Sequence, residues 1–191
     1  MAQPSNRGKL LDATLRCFDR LPLDRITVRA IAAEAGANPA SIIYHFGSRD
    51  ALLSAAAVEG LDRWLVELAS ELGSISGDDS AARLTRAAEL VAATRTWRTP
   101  LARAYLTALA MSLHDDTVRL TLAEGFRRAR PALAAVLSLG DDATGADAAG
   151  LLLAMFHGML VQTLLDEHLA IDGARLEAGL ARMDAAAIGG G

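Results

Sequence analysis

The predicted fold is organised around residues 27–46. Hydrophobic residues recur at helical spacing in the first half of this stretch. The apolar positions there are Val28, Ile31, Ala32 and Ala35. Thr27 precedes them and is a residue type that commonly caps helices, so a helix is predicted to begin at this point. Gly36 follows where the chain must turn, because glycine takes a positive φ without steric cost. The pattern therefore predicts a short helix that ends in a tight turn.

A second short helix is predicted directly after this glycine. Asn38 would cap it, and Pro39 would fill its first position, where no backbone N–H is needed. Its predicted buried positions are Ile42, Ile43 and Phe46, and its predicted outward positions are Pro39, Ala40, Ser41, Tyr44 and His45. Two helices joined by a glycine turn, the second with a small polar face, indicate a helix-turn-helix whose second helix enters the DNA major groove.

Eight residues form the predicted DNA-contacting set of this motif: Thr27, Asn38, Pro39, Ala40, Ser41, Tyr44, His45 and Arg49. The small residues at the start of the second helix are predicted to approach the bases. Tyr44 and His45 can donate hydrogen bonds to phosphates, although both could instead pack in a small core. Arg49 could contact a phosphate or pair with the neighbouring Asp50.

Two sequence motifs resemble the TetR family of bacterial repressors, over about residues 7–55. They are Thr-Val-Arg-x-Ile-Ala-x-Glu-Ala-Gly at 27–36 and x-Tyr-His-Phe-x-Ser-Arg-Asp-x-Leu-Leu at 43–53. The chain departs from the usual family pattern at Ile43, at Arg49 and at Pro39-Ala40, which leaves the operator sequence open. The resemblance implies a homodimer that represses transcription from a palindromic operator and is released by a small molecule.

Helical periodicity continues beyond the motif, so the fold class is predicted to be all-α. A first helix would run from Asn6 to about Leu21. A long helix capped by Ser48 would continue to Gly73 and join a DNA-binding domain of residues 1–47 to an effector-binding and dimerisation domain of residues 48–191. After a loop at 73–80, further helices are predicted at 81–94, at 99–111 and at 115–139, the last with a kink at Pro131. Another helix is predicted to begin within 141–147 and to end near residue 168, and the last helix lies within 172–187.

Composition supports helices, and the distribution of charge supports a nucleic-acid partner. Hydrophobic residues make up 52% of the 191 residues and aromatic residues 4%, so the core is predicted to consist mainly of alanine and leucine. The net charge of −4 alone argues against DNA, but residues 1–50 hold seven Lys or Arg against five Asp or Glu, and the remainder hold twelve against eighteen. The basic excess coincides with the helix-turn-helix, where contact with phosphates needs it.

Several classes of protein are disfavoured by the residues present. Cys17 is the single cysteine, which excludes an intramolecular disulfide, suits a reducing cytoplasm and is predicted to be a buried thiol. The short polar segment at 1–7 shows no signal peptide, so a cytoplasmic location is expected. A glycine-rich phosphate loop, a Cys-x-x-Cys pair and a His-Glu-x-x-His motif are missing, so no enzyme, cofactor or metal site is predicted.

The most apolar run lies at 148–165 and is interrupted by polar residues such as His157. We interpret it as a buried interface helix rather than a membrane span. Its small residues at i+4 spacing, which permit close helix contact, are Gly150, Ala154 and Gly158. A helix that is apolar nearly all round must be covered on all sides, so dimerisation is predicted through helices near 143–168 and 172–187.

The C-terminal helices are also predicted to hold a small, largely apolar effector. The predicted lining residues are Trp64, Trp97, Tyr105, Met111, Phe126, Met155, Phe156 and Met159. Each of these is equally an ordinary core residue, so two alternatives stay open. One is a ligand-independent dimeric repressor, which a filled core around Trp97 and Tyr105 would favour. The other is an enzyme built on the C-terminal bundle, which the lack of a catalytic constellation disfavours.

Overall fold

The structure is a computed structural model whose described residues are 6–72, 85–86, 89, 99–171 and 173–188. Its helices are α1 (Asn6–Arg20), α2 (Val28–Ala35), α3 (Ala40–Phe46), α4 (Arg49–Leu72), α5 (Thr99–Met111), α6 (Asp116–Val136), α7 (Ala143–Leu165) and α8 (Gly173–Ile188), with short 3-10 turns at Leu23–Arg25 and Glu167–Leu169. No strand occurs among the described residues, and the predicted all-α fold is confirmed. The predicted loop at 73–80, Trp97 and nearly all of the predicted helix at 81–94 lie outside the described residues.

Capping side chains set the helix boundaries around the helix-turn-helix. The hydroxyl of Thr27 accepts a hydrogen bond from the backbone N–H of Ala30 at 3.1 Å. Gly36 ends α2 in the left-handed region with a φ of 60°. The hydroxyl of Ser48 accepts from the N–H of Ala51 at 3.0 Å at the start of α4. These three predicted boundary residues therefore act as local sequence chemistry dictates.

Contacts divide the chain into two compact units that do not follow chain order. The first unit draws on Met1–Trp64 and Arg98–Arg128, and the second draws on Leu65–Trp97 and Ala129–Gly191. α4 and α6 each pass from one unit into the other. The domain boundary predicted between residues 47 and 48 remains a prediction.

One hydrophobic cluster in the first unit contains residues of α1 to α6. Its fully buried members include Leu10 of α1, Ile31 of α2, Ile42 of α3 and Leu52 of α4. Because a large apolar side chain from each of these helices meets in one cluster, α3 is held by the whole core rather than by α2 alone. Burial of an isoleucine or leucine side chain contributes about 1.5–3 kcal/mol.

Ion pairs add polar contacts between helices of the first unit. The Arg63 guanidinium on α4 donates to Asp12 of α1 at 2.6 Å and to Glu59 of its own helix at 2.8 Å. Arg128 of α6 donates to Asp62 of α4 at 2.8 Å. Exposed pairs of this kind contribute about 0.2–1 kcal/mol each, so they orient helices that the core already holds.

In the second unit, α6 continues through Pro131, which lies inside the helix rather than between two helices. The chain then leaves the helical conformation through Ser138, whose φ is 54°, and Gly140, whose φ is 102°. The carboxylate of Asp142 caps α7 by accepting from the N–H of Gly145 at 2.8 Å.

α7 buries little of its apolar surface within a single chain. Its buried residues are Gly145, Ala149 and Leu153. Three large side chains on the same helix are exposed: Leu151, Val161 and Leu165. By length and composition alone, α7 is also long and apolar enough to cross a membrane. A single chain therefore leaves the apolar run predicted at 148–165 largely uncovered.

Candidate nucleic-acid interface

The short helix α3 turns one side into the core and the other towards solvent. Ile42 is fully buried and Phe46 packs against the hydrophobic cluster. On the opposite side, Ala40 is exposed and the Tyr44 side chain is 84% exposed. Tyr44 therefore does not pack in a small core, which was the alternative left open by the sequence. Its phenol is available to a partner.

The start of α3 is shaped by the residues predicted to shape it. The Asn38 side-chain oxygen accepts a hydrogen bond from the N–H of Ala40 at 2.8 Å. Pro39 has helical dihedral angles, with a φ of −49° and a ψ of −33°. Both residues are exposed, so the cap and the proline present this end of the helix at the surface. Thr27 is exposed as well, although its hydroxyl already caps α2.

One sequence prediction on α3 is wrong. The sequence pattern predicts Ile43 on the buried side, but its side chain is 56% exposed. Successive residues of an α-helix are rotated by about 100°, and Ile42 and Phe46 already occupy the side that faces the core. Ile43, rotated by about 100° from Ile42, lies on a flank of α3 where its side chain is left exposed.

His45 and Ser41 lie on the flanks of α3, and each is partly buried. The His45 ring meets the Tyr44 ring edge-on, with centroids 4.9 Å apart and planes at 83°. It also lies 6.5 Å from the Phe46 ring. This aromatic packing limits the orientations of the imidazole and leaves it beside the exposed phenol.

Arg49 is engaged by its own chain. Its guanidinium donates to the backbone oxygen of Leu23 at 2.6 Å, to the backbone oxygen of Ile26 and to the carboxylate of Asp50 at 2.7 Å. The pairing with Asp50 is the alternative that the sequence left open. Two of the five guanidinium N–H groups have no part in these three bonds, so a phosphate contact by Arg49 stays a prediction.

Four basic residues near the helix-turn-helix fall into two groups. Arg16 and Arg20 both pair with Glu34, and the hydrogen bond from Arg16 lowers the pKa of that carboxyl. These two charges link α1 to α2 and are partly neutralised.

Arg25 and Arg29 form the second group, and sequence reasoning missed them. Both are exposed, and neither guanidinium has a hydrogen bond or ion pair within the described part of the chain. Arg29 stands two residues after the Thr27 cap in the Thr-Val-Arg motif, which was the available signal. Arg7 adds a cation near α3, since its guanidinium lies 5.1 Å from the centre of the Phe46 ring.

The predicted effector residues are distributed over both units. In the first unit Tyr105 is 3% exposed within the hydrophobic cluster, Met111 and Phe126 pack against that cluster, and Trp64 is buried. In the second unit Met155, Phe156 and Met159 are partly buried on α7. Trp97 lies outside the described residues, so the predicted set as a whole remains a prediction.

A groove of about 510 Å³ occurs in the second unit, where α6 ends and α7 begins. Its lining residues are Pro131, Ala134, Ala135, Ser138, Gly140, Asp141, Asp142 and Ala146. None of the predicted effector residues lies in this groove.

Cys17 is a buried free thiol, as predicted. Burial raises its pKa, Glu34 raises it further, and Arg16 and Arg20 act in the opposite direction. A thiol that is buried and protonated at neutral pH is a poor nucleophile, so Cys17 acts as a core residue.

The family model of the bacterial regulatory proteins of the tetR family matches residues 10–56, which extend from α1 into α4. This N-terminal part of the chain matches the TetR family. The match covers the capped α2, the glycine turn and the exposed face of α3, so the resemblance predicted from the two motifs is confirmed.

Similar proteins extend the likeness to the whole chain. The HTH-type transcriptional regulator BetI of Stenotrophomonas maltophilia is 34% identical over 77 residues, which are 40% of this chain and 39% of that protein. The chain therefore matches about two fifths of this curated relative. The crystal structure of the multidrug binding protein EbrR complexed with imidazole is 27% identical, with a TM-score of 0.62 over 94% of this chain and 95% of EbrR. A transcriptional regulator from Saccharomonospora viridis in complex with choline is 22% identical, with a TM-score of 0.63 over 92% and 93% of the two chains.

Proposed function

We propose that this TetR-family chain is a cytoplasmic, homodimeric transcriptional repressor that binds a palindromic operator and is released by a small apolar effector. The regulator role is supported by the family model and by the similar regulators, and the proposal includes no enzymatic activity. The operator, the dimer and the effector are the specific parts of the proposal.

The observation that carries the proposal is the outer face of α3. Tyr44 is 84% exposed on a helix whose other side is anchored by the fully buried Ile42. A rigid short helix with an exposed phenol and small residues Pro39 and Ala40 fits the major groove, where side chains reach base edges and phosphates. Arg25 and Arg29 supply exposed positive charge on the same helix-turn-helix.

Dimerisation is supported by α7 in the second unit. Leu151 and Leu165 are 69% and 79% exposed, and a soluble chain seldom leaves such an apolar helix uncovered. Gly158 has open space around the position of a Cβ, so a second helix can approach there. The helix-turn-helix motifs of the two subunits would place their α3 helices in successive major grooves of a palindrome, about 34–36 Å apart.

Release by a small molecule is supported by the EbrR structure, whose chain holds imidazole in the same fold. A ligand that binds the DNA-free conformation more tightly must weaken operator binding by the same factor. α4 is the covalent path for such a signal, because this single helix of 24 residues begins next to the helix-turn-helix and ends in the second unit.

A second candidate is a repressor that has the same DNA-binding face but no ligand. Tyr105 favours it, because this predicted effector residue is 3% exposed and packs inside the hydrophobic cluster. The two candidates differ in one observable, which is whether any small molecule lowers operator affinity.

The experiment starts with selection of duplexes from random DNA by the full-length protein, followed by sequencing. An inverted repeat with half-sites about one helical turn apart is expected, and enrichment of no sequence would contradict the proposal. A panel of apolar compounds is then titrated into the protein–operator complex while tryptophan fluorescence and operator release are recorded together. A compound that changes both supports the effector-controlled repressor, whereas operator binding that no compound affects supports the ligand-independent one.

A further inference from the structure

We propose that Ile43 selects thymine in the operator by packing against the C5-methyl group of the base. This inference rests on the proposed function and names one residue and one base contact within it. It follows from the exposed position of Ile43, which the sequence pattern had placed in the core.

The exposure of Ile43 follows from its position on α3. Ile42 and Phe46 occupy the side of the helix that packs on the core, and Ile43 is not among the residues of that cluster or packed against it. A β-branched side chain on a helix strongly prefers one χ1 rotamer. The side chain, which is 56% exposed, is therefore held outward in a nearly fixed orientation.

The surface around Ile43 is apolar. Pro39 and Ala40 stand four and three residues earlier, which places both beside Ile43 on the helix surface, and both are exposed. Neither side chain can donate or accept a hydrogen bond. This strip of three residues therefore cannot read the donors and acceptors that distinguish the other bases.

The major groove offers one apolar feature at base edges, the C5-methyl group of thymine. The strip is continuous with the proposed DNA interface, since Tyr44 follows Ile43 and is 84% exposed on the same helix. Exposed cations on the same motif, Arg25 and Arg29, complement phosphates. Both features favour DNA over an apolar protein partner as the occupant of this strip.

The test replaces thymine by deoxyuridine, which removes the methyl group and leaves the hydrogen-bonding edge unchanged. The full-length protein is titrated against its selected operator by fluorescence anisotropy, with each symmetric pair of thymines replaced in turn. At one pair the replacement should weaken binding by about fourfold for each half-site, from the loss of one buried methyl. Ile43→Ala should bind the thymine and deoxyuridine versions of that pair equally, and Ile43→Val should restore part of the difference.

The matched control is Leu120→Ala, which truncates an aliphatic side chain of similar exposure, 54%, on α6. It should leave the preference for thymine unchanged. An operator whose thymines all tolerate deoxyuridine would overturn the inference, as would an Ile43→Ala variant that still discriminates or an operator without thymine in its half-sites. In these cases specific DNA binding remains, so the proposed function survives. Enrichment of no operator at all would instead remove the proposed function and the inference together.

Discussion

α3 and α7 both leave apolar side chains exposed, but in different ways. α3 exposes a narrow outer face while its own chain buries its inner side through Ile42. α7 has 23 residues and buries only Gly145, Ala149 and Leu153, leaving Leu151 and Leu165 exposed. The first pattern belongs to a helix whose fold is complete and whose outer face serves a partner. The second belongs to a helix whose burial is incomplete in one chain, so in the proposed dimer the partner subunit would contribute to stability as well as to function.

The difference predicts its largest effect at Gly158. A Cβ atom added at this position meets nothing within 4 Å in the single chain, so Gly158→Arg should leave the fold of one subunit intact. A charge left unpaired in a buried dimer interface costs about 3–5 kcal/mol, which corresponds to at least a hundredfold loss of dimer affinity. Sedimentation should show monomers or aggregates, and Gly158→Ala should remain dimeric. A dimeric Gly158→Arg protein would mean that this side of α7 does not form the interface.

The next largest difference is expected between variants of the adjacent residues Ile42 and Ile43 on α3. Ile42→Ala removes a fully buried side chain and should lower the free energy of unfolding by about 2–5 kcal/mol. Ile43→Ala, which truncates an exposed side chain, should change it by less than about 0.5 kcal/mol. Denaturant unfolding of the two variants measures the difference. Equal destabilisation would mean that the outer face of α3 is also part of the fold.

Arg49 should have a smaller effect, because its removal leaves the backbone oxygens of Leu23 and Ile26 without their guanidinium donor. Arg49→Ala is expected to cost about 1–3 kcal/mol of stability. Arg49→Lys keeps the charge but cannot reproduce the fork of donors. If Lys restores operator affinity without restoring stability, the predicted phosphate contact is supported. If both fall together in Arg49→Lys, the role of Arg49 is to hold the start of α4 against the preceding turn.

The smallest expected effect is a pH dependence from His157 on α7. Burial lowers its pKa below the ordinary 6.5, while a hydrogen bond to the Leu153 carbonyl acts in the opposite direction. The unfolded chain therefore takes up the proton first on acidification. The free energy of unfolding is therefore not reduced by His157 above about pH 6.5, where the imidazole is neutral in both states. It decreases as the pH falls from there towards the pKa of His157 in the folded state. Melting temperatures of His157→Gln should vary less than those of the wild type between about pH 8 and pH 5.

Local chemistry made the helix-turn-helix predictable. Thr27 marks the start of α2 by capping it, and Gly36 marks its end by a positive φ. Each of these features is determined within a few residues of sequence. Ile43 could not be placed by the same means, since a helix of seven residues is too short for periodicity to separate a buried isoleucine from its neighbour. The partners of Arg49 lie 23 and 26 residues away along the chain, a separation that no local pattern encodes.

Long-range packing also explains why the sequence alone cannot decide which apolar residues line an effector pocket. Tyr105 looks like a pocket residue in a list of aromatics, yet it packs in the cluster that holds Ile42 and Leu52. Apolar character identifies a residue as buried, but the same side chain serves a core or a pocket equally well. The assignment depends on which helices meet, and α5 and α6 contribute to the same cluster as the helix-turn-helix.

The central claim, that the outer face of α3 binds duplex DNA, is tested most directly at Tyr44. Operator affinity is measured by fluorescence anisotropy for the wild type, Tyr44→Ala and Tyr44→Phe, with melting temperatures recorded alongside. Because the side chain is 84% exposed, neither substitution should alter folding. Loss of a hydrogen bond from the hydroxyl to a phosphate should weaken binding about tenfold or more in both variants. Unchanged affinity in Tyr44→Ala, with folding intact, would contradict the account.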